Sequence, residues 1–173
     1  MTTITSPKVL RDKKELDNIP DSPGYYKWWA PGPTVKKLLG KFYHELAPGL
    51  TEGKGELSGY FYIYVGIASK SLRDRLNWHI NQINSVGAVK SGFLSTLRKS
   101  ISSLALGDQF DTDGTNDIIN RMIAQYEVCG DFKEKEDKEI DGHMLPLNIK
   151  GQKNQKLKNG FTKYLKEVRR AGK

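Results

Sequence analysis

Apolar residues follow a strand-like pattern in three short segments, which predicts three β-strands. Residues 25–29 are mostly aromatic and come directly after a Ser-Pro-Gly turn signal. Residues 60–65 are apolar or aromatic at every position, which is typical of a central strand covered on both faces. Because side chains alternate along a strand, Tyr62 and Tyr64 are expected on the same face. Residues 121–128 are the best candidate for the third strand.

The spacing of apolar residues predicts five helices between and after these strands. One lies inside the Gly- and Pro-bounded segment 30–59, and another follows Ser69 or Ser71, with an apolar stripe that ends at Ile83. The other three are expected over residues 93–104, over residues 132–142 and from Leu157 to Val168. Residues 111–117 are predicted to form a loop, and the first twenty residues a polar lead-in. The elements predict an α/β chain in which helices pack on a small sheet.

The length of the chain, 173 residues, suits one domain with a real core, and residues 1–173 are predicted to form a single domain. No apolar run approaches the roughly 18 residues of a membrane-spanning helix, so no membrane partner is expected. The first residues lack the apolar block of a signal peptide. Cys129 is the only cysteine, which excludes a disulfide framework and a multi-cysteine zinc site. A cytoplasmic protein is therefore predicted.

The net charge of +8 favours a polyanionic partner, either nucleic acid or an anionic membrane surface. Residues 150–173 hold nine Lys or Arg residues and a single acid, Glu167. Such side chains add affinity for phosphates without reading sequence, although a solvated helix face has the same composition. The candidates for phosphate contacts are Lys150, Lys153, Lys156, Lys158, Arg169 and Arg170, and the basic tail also includes Lys163, Lys166 and Lys173.

Five features that carry reactive or polar side chains follow one another along the chain. They are Gly24-Tyr25-Tyr26, Tyr64-Val65-Gly66, Arg75, His79, and a late glutamate followed by Pro146-Leu147-Asn148. Arg75 and His79 are four residues apart, which puts them on the same face of a helix. A guanidinium that grips phosphate oxygens and an imidazole that moves protons suit phosphodiester hydrolysis. The alternatives are an exposed ion pair of Arg75 with Asp74 or Asp117, and a packing role for His79.

In this order and local spacing, the motifs resemble those of the GIY-YIG endonuclease superfamily. The resemblance covers roughly residues 22–149 and leaves 150–173 as a basic C-terminal helix. It implies a small, mainly antiparallel three-stranded sheet flanked by helices, and a metal-dependent DNA endonuclease. The first motif departs from the family by reading Gly-Tyr-Tyr, and residues 30–59 stand where the family has a short turn. We therefore expect a helical insertion in the first hairpin, which serves either DNA reading or packing.

The resemblance also implies a role for each site residue. The hydroxyls of Tyr26 and Tyr64 would surround the attacking water and the scissile phosphate, and Tyr64 or His79 would take the proton of that water. Arg75 would steady the developing charge, and the products would carry 5′-phosphates. Asn148 would brace the site through hydrogen bonds or cap the turn before it. For the two tyrosines, a place in the sheet core is the alternative.

Glu136 is the predicted metal ligand. It lies twelve residues before Asn148, on the helix predicted over residues 132–142. A carboxylate suits a hard cation such as Mg²⁺, for which Mn²⁺ substitutes, and this ion keeps several waters and takes one or two protein ligands. Glu139 is the second choice, and both acids belong to a charged run that is equally typical of a solvated face.

Other functions fit parts of the same sequence. A catalytically inactive DNA- or RNA-binding module on the same fold would keep the charge, and in a protein-interaction domain the motif matches would be coincidental. Trp28, Trp29 and Trp78 suit base stacking as well as burial, and Gly66 suits a close backbone approach as well as a plain turn. The predicted partner is double-stranded or branched DNA. A homodimer is expected if both strands are cut together, because so small a domain cuts one strand per site.

Overall fold

The computed structural model describes residues 2–11 and 13–171. Four strands form one antiparallel sheet: β1 (Thr3–Thr5), β2 (Gly24–Pro31), β3 (Tyr60–Ala68) and β4 (Ile123–Val128). Their order across the sheet is β1-β4-β2-β3. The antiparallel α+β class is confirmed, but the prediction of three strands is wrong. The fourth strand is β1, which pairs with β4 and whose Thr-Ile-Thr sequence is too short to show a pattern.

Helices connect the strands and cover both faces of the sheet. Among the described residues they are α1 (Pro7–Leu10), α2 (Lys13–Asp17), α3 (Gly32–Leu39), α4 (Tyr43–Leu46), α5 (Leu72–Asn81), α6 (Val86–Ser91), α7 (Thr96–Ile101), α8 (Thr112–Ile119), α9 (Phe132–Gly142) and α10 (Thr162–Ala171). Short 3-10 turns occupy Gly40–Phe42, Ala47–Gly49 and Gly55–Leu57. π-helical turns at Ser102–Leu106 and Leu157–Phe161 follow α7 and precede α10.

The segment predicted as a loop over residues 111–117 is helical. The side chain of Asp111 accepts a hydrogen bond from the backbone N–H of Gly114 at 2.8 Å, and this cap starts α8 at the next residue. The segment is polar and contains a glycine, and this composition is more typical of a loop, so the sequence pattern does not predict the helix. The short helix α6 likewise has no counterpart in the predicted elements.

The two helices nearest the site begin at serine caps. Ser71, one of the two predicted caps, accepts a hydrogen bond from the N–H of Asp74 and starts α5. This helix ends two residues before Ile83, so the predicted stripe is too long and that side chain is exposed. The helix predicted over residues 93–104 starts late, because Ser95 is its cap.

A β-bulge in β3 sends two nearby tyrosines to opposite faces of the sheet. Trp28 of β2 pairs with Tyr64, whereas the next residue, Trp29, pairs with Tyr62, so Ile63 is an extra residue on β3. Tyr64 belongs to the core cluster that contains Trp28, and Tyr62 stacks on Trp29 with ring centroids 4.9 Å apart. The prediction that the two tyrosines share a face is wrong, because one extra residue shifts the alternation.

Each face of the sheet has its own apolar cluster. The larger cluster contains Tyr26 and Trp28 and includes side chains from α5, α7, α8 and α10. The smaller cluster contains Trp29 and is covered by α9 through Ile140. Trp28 is fully buried and Trp29 is 7% exposed, so neither is available to stack on a base, whereas Trp78 is 38% exposed.

β3 lies at an edge of the sheet and not at its centre as predicted. Its outer side is nevertheless covered by backbone. The N–H of Gly53 donates to the carbonyl of Tyr60 at 2.8 Å, and the N–H of Tyr62 donates to the carbonyl of Thr51 at 2.9 Å. The side chain of Asn148 occupies the next part of the edge. These partners explain how an apolar strand is buried at an edge.

The segment between β2 and β3 carries α3 and α4. Leu38, Leu39 and Leu46 of these helices are buried in the larger cluster, so packing is one of the roles of this segment. That it is an insertion relative to the family stays a prediction. Within the two described ranges, no helix is long and apolar enough to cross a membrane.

Candidate active site

A buried hydrogen bond joins the first motif to the helix that follows the second. Tyr26 lies in β2 on the face that α5 covers, and the tight packing of Leu76 and Ile80 turns His79 of α5 toward the sheet. The phenolic oxygen of Tyr26 is 2.7 Å from Nε2 of His79, and both residues are 2% exposed. His79 therefore reaches the surroundings of the site only through other side chains.

Ser95 holds the other nitrogen of this imidazole. Its hydroxyl is 2.9 Å from Nδ1 of His79 and also accepts the N–H of Arg98 as the cap of α7. When Tyr26 donates to Nε2, Nδ1 carries the proton and donates to Ser95. Burial, together with the positive charges of Arg75 and Arg98, lowers the pKa of His79 to about 3. The imidazole is therefore neutral at ordinary pH.

Tyr64 reaches the same group of residues from β3. Its ring centroid lies 6.4 Å from that of Tyr26 and 6.3 Å from that of His79. Burial raises the pKa of both phenols above the ordinary value, and for Tyr64 the negative charge of Glu136 raises it as well. The positive charge of Arg75 acts in the opposite direction on both. The phenols are thus protonated unless a cation comes close.

Two motif glycines leave the space that these contacts need. Gly66 pairs with Tyr26 across β2 and β3, and a Cβ on Gly66 would lie 2.6 Å from Cζ of Tyr26. Gly24 is as crowded, since a Cβ there would lie 2.7 Å from Cδ1 of Leu72. Gly66 lies inside β3, so the turn explanation is wrong and the close approach accounts for it.

A cleft of about 510 Å³ opens beside Tyr64. Its walls come from β3, from α9, from the loop after α9 and from α10. The side chains that line it and matter for the chemistry are Tyr64, Glu136, Asn148, Lys150 and Arg169. The structure therefore brings together residues from four distant parts of the chain around one basic and acidic concave surface.

Glu136 lines this cleft from α9 and is partly buried. Burial raises the pKa of its carboxyl, and the neighbouring Asp137 adds to that effect, whereas Lys133 and Lys150 oppose it. A carboxylate that is partly withdrawn from water gains most from a bound cation, because the cation replaces the lost hydration. Its position fits the role that the sequence assigns to it.

Glu139 points to the other face of the sheet, away from the cleft. It forms an ion pair with Lys27 of β2, and its second oxygen is 3.5 Å from Nε2 of His143. The ring of Tyr62 lies 5.2 Å from that of His143, so this group belongs to the smaller cluster. As the second choice for the metal ligand, Glu139 is not supported by its position, because Lys27 already neutralises it.

Asn148 braces β3. Its side-chain oxygen accepts the N–H of Val65 and its side-chain nitrogen donates to the carbonyl of Val65, both at 2.9 Å. Both ends of the amide are thereby used on the residue between Tyr64 and Gly66. Asn148 lines the cleft as well, so it fixes the strand end next to Tyr64. Of the two roles that the sequence left open, bracing agrees with these contacts.

Arg75 is partly buried on α5, and its guanidinium lies over the ring of Trp78 at 5.2 Å. Its positive charge lowers the pKa of Tyr26, of Tyr64 and of His79. Within the described ranges, its close contact is with Trp78 rather than an ion pair with Asp74 or Asp117. Arg75 does not line the cleft beside Tyr64 and lies in a separate hollow at the start of α5.

The basic residues of the C-terminal segment divide into three groups. Lys150 and Arg169 line the cleft, and Arg170 lines a smaller hollow next to it. Lys153 forms an ion pair with Asp141 at 2.8 Å and lines a different hollow. The remaining candidates, Lys156 and Lys158, are exposed just before α10, and Lys173 of the tail lies outside the described residues.

No motif in the sequence points to Ser95, Arg98 or Lys27. Arg98 is fully buried and donates to the carbonyls of His79 and Ile80, so it caps the C-terminal end of α5. The Ser-Thr-Leu-Arg pattern that starts at Ser95 is a signal for a helix cap, but it lies inside the segment predicted as helix. None of the three has a signal that links it to the site.

The α+β fold and this group of side chains are those expected of a nuclease, a hydrolase of phosphodiester bonds. A comparison with protein families gives the same class, since residues 24–171 match the model of the GIY-YIG catalytic domain. The chain belongs to this family. The matched range starts at the first glycine of the site and ends with α10. No curated protein and no solved structure matches the chain at a significant level.

Proposed function

We propose that this nuclease is a metal-dependent endonuclease that hydrolyses DNA in the cleft beside Tyr64. The observation that carries the proposal is the convergence of Tyr64, Glu136, Lys150 and Arg169 on one cleft. A phosphate there meets two cations, a phenol and a carboxylate suited to a hard metal ion. The substrate is DNA, double-stranded or branched, and the whole chain acts as a single domain.

The phenols and the imidazole would handle the proton of the attacking water. Tyr64 is the phenol that lines the cleft, so its oxygen is the one that meets the water. Tyr26 keeps its proton directed at Nε2 of His79, whose ring is neutral and accepts this hydrogen bond through its lone pair. As Tyr64 accepts a proton from the water, it passes its own to Tyr26 and Tyr26 passes one to His79. Because His79 is a weak base, the proton stays there only briefly.

Arg75 and Asn148 would support this step without taking part in proton transfer. The positive charge of Arg75 lies close to both phenols and steadies the negative charge that develops on the phosphate and on the phenol oxygens. Asn148 holds Val65 and so keeps the neighbouring Tyr64 in place. Lys150 and Arg169 bind the flanking phosphates.

Glu136 would hold a divalent cation, Mg²⁺ or Mn²⁺. Its partly buried carboxylate fits such an ion, and within the described ranges no group of three or more His, Cys, Asp or Glu side chains forms an alternative site. A single protein ligand is enough for Mg²⁺, which keeps waters and takes phosphate oxygens. When bound, the ion supplies Lewis-acid stabilisation of the leaving 3′-oxygen.

Cleavage of a supercoiled plasmid tests this proposal. We expect the wild-type chain to nick the plasmid in the presence of Mg²⁺ or Mn²⁺, and Glu136→Gln to lose this activity by at least about 100-fold. Glu134→Gln is the matched control, because Glu134 lies on the same helix, is exposed and pairs with Lys138.

Three results bear on the proposal. Metal-dependent cutting by the wild type and the control, but not by Glu136→Gln, supports it. Equal cutting by all three proteins removes Glu136 from the site. If neither the wild type nor the control cuts plasmid or branched DNA with any of several metals, the endonuclease proposal is wrong. A single site cuts one strand, so linear product requires two copies or two successive events, which sizing with and without DNA distinguishes.

A further inference from the structure

A second hollow, of about 480 Å³, lies at the start of α5 and outside the cleft. Its floor is the turn between β3 and α5, and its walls include Lys70, Asp74, Arg75, Asn77 and Trp78. Apart from Arg75, its lining residues take no part in the proposed reaction. Arg75 is its connection to the proposed reaction, since the charge of this side chain lowers the pKa of Tyr26 and of Tyr64.

Trp78 is unusual among the tryptophans of the chain. Trp28 and Trp29 are core residues, but Trp78 keeps more than a third of its surface in water. The Arg75 guanidinium lies 5.2 Å above its ring and holds the indole by a cation–π contact. An exposed aromatic ring that is held in one orientation is a ready surface for stacking.

Other exposed apolar side chains lie next along the chain. Ile83, Val86 and Phe93 are all more than half exposed. Gln82, one helical turn after Trp78, donates its side-chain N–H to the carbonyl of Phe93 at 2.8 Å, which ties this segment to α5.

The charges and polar groups of the hollow suit one nucleotide. Lys70 and Arg75 are cationic and Asp74 is the opposing acid, so the lining has a net positive charge for a phosphate. The amide of Asn77 offers both a donor and an acceptor for the edge of a base. An aromatic face beside cations is the combination that binds single-stranded nucleic acid.

We propose that this hollow receives an unpaired base of the DNA, which stacks on Trp78 while the scissile phosphate lies near Arg75. The inference rests on the proposed endonuclease function and specifies its substrate. Bases inside a duplex are already stacked and paired, and extruding one costs free energy, whereas a base at a flap or a gap is free to enter. The enzyme therefore prefers DNA with an unpaired nucleotide next to the cut over a continuous duplex.

Fluorescence of 2-aminopurine tests the site without requiring cleavage. The probe replaces the unpaired base next to the junction of a flap oligonucleotide, and the full-length Glu136→Gln protein is the binding partner. We expect binding to quench the probe through stacking, and Trp78→Ala in that background to remove the quenching. Trp78→Phe, which keeps a ring, should retain most of it. Phe110→Ala removes an exposed aromatic elsewhere on the chain and should change nothing.

Cleavage of matched flap and duplex oligonucleotides completes the test. We expect the wild type to cut the flap faster, and Trp78→Ala to lower the ratio of flap to duplex cleavage about tenfold. If Trp78→Ala slows the cleavage of flap and duplex equally, Trp78 only positions Arg75 and the proposal is wrong. If the Trp78→Ala protein still quenches the probe fluorescence, the proposed base-binding site is also wrong. If no substrate is cut but the quenching depends on Trp78, the result supports the base-binding site and contradicts the endonuclease function.

Discussion

Tyr26 and His79 are 53 positions apart in the sequence, yet the phenolic oxygen of one lies 2.7 Å from Nε2 of the other. The contact is buried on both sides, so neither group exchanges it for water. The neutral, buried imidazole binds the Tyr26 phenol, and in the proposed mechanism its role is in the proton relay and not in direct binding of phosphate.

Removing the phenol oxygen of Tyr26 should remove most of the activity. We expect Tyr26→Phe to lower the rate of cleavage at least about 100-fold, which is the usual contribution of general acid–base groups. Tyr25→Phe is the control, because Tyr25 is the adjacent residue of β2, faces the opposite side of the sheet and has its hydroxyl 3.4 Å from Glu127. Equal rates for the two variants would show that the Tyr26–His79 contact has no role in the chemistry.

The neutral state of His79 should appear in the pH dependence of stability. Its pKa is about 3 in the folded protein and near 6.5 in the unfolded chain. Between these values only the unfolded chain binds the proton, so falling pH favours unfolding by about 1.4 kcal/mol per pH unit. We expect urea titrations to show this slope below pH 6.5 in the wild type and a shallower slope in His79→Gln. Parallel slopes would mean that His79 is protonated in the native state.

A methyl group at residue 66 should displace the Tyr26 phenol. The Cβ of Gly66→Ala would overlap Tyr26, so we expect a loss of about 1–3 kcal/mol of unfolding free energy and a large loss of cleavage. Gly130→Ala is the control, since a Cβ there meets nothing within 4 Å. Denaturant titration and plasmid cleavage measure the two effects. Full activity in Gly66→Ala would contradict the close approach.

The ion pair of Lys27 with Glu139 should hold α9 against the sheet. Both side chains are mostly buried, and Lys27→Met leaves the carboxylate without its main partner. We expect a loss of about 2 kcal/mol of stability, less than for a fully buried pair. The double variant Lys27→Met with Glu139→Leu should be more stable than Lys27→Met alone, because no unpaired charge remains. The midpoints of urea unfolding give the order of stability of the two variants. A double variant less stable than Lys27→Met would contradict the stabilising role of the ion pair.

Arg169 and Lys153 should differ in their effect on DNA binding, although both belong to the basic C-terminal segment. Arg169 lines the cleft, whereas Lys153 is exposed and paired with Asp141. We expect Arg169→Ala to weaken binding and to reduce the slope of log affinity against log salt by about 1. Lys153→Ala should leave both nearly unchanged. Binding titrations at several salt concentrations make the comparison, and equal slopes for the two variants would count against the cleft as the DNA site.

Elements with a strong local signal are predictable from the sequence. The charged segment after Asp131 matches α9 from residue 132 to residue 142, and the aromatic run after Pro23 matches β2. Arg75 and His79 lie on the same helix, and their spacing of four residues alone predicts that they share one face of it. The motif order identifies Tyr26 and Tyr64 without any knowledge of their distance. Apart from the order of the motifs, local patterns of about a dozen residues or fewer carry this information.

Features that depend on pairing between distant segments are not predictable in this way. The bulge at Ile63 is visible only when β3 lies beside β2, and it decides which face receives Tyr64. Ser95 contributes to the site only because the loop before α7 returns to His79. Glu136 and Glu139 are three residues apart on one helix, and only the packing of α9 shows that Lys27 neutralises the second of them.

The amide of Asn148 has a consequence beyond the reaction. An unpaired strand edge invites the same strand of another molecule to add to the sheet, which leads to aggregates. Along β3 the backbone of Val65 is already bonded to Asn148, and that of Tyr60 and Tyr62 to residues 51–53. The side chain that fixes β3 next to Tyr64 therefore also closes one part of the edge of the sheet to a strand of another molecule, and residues 51–53 close the adjacent part.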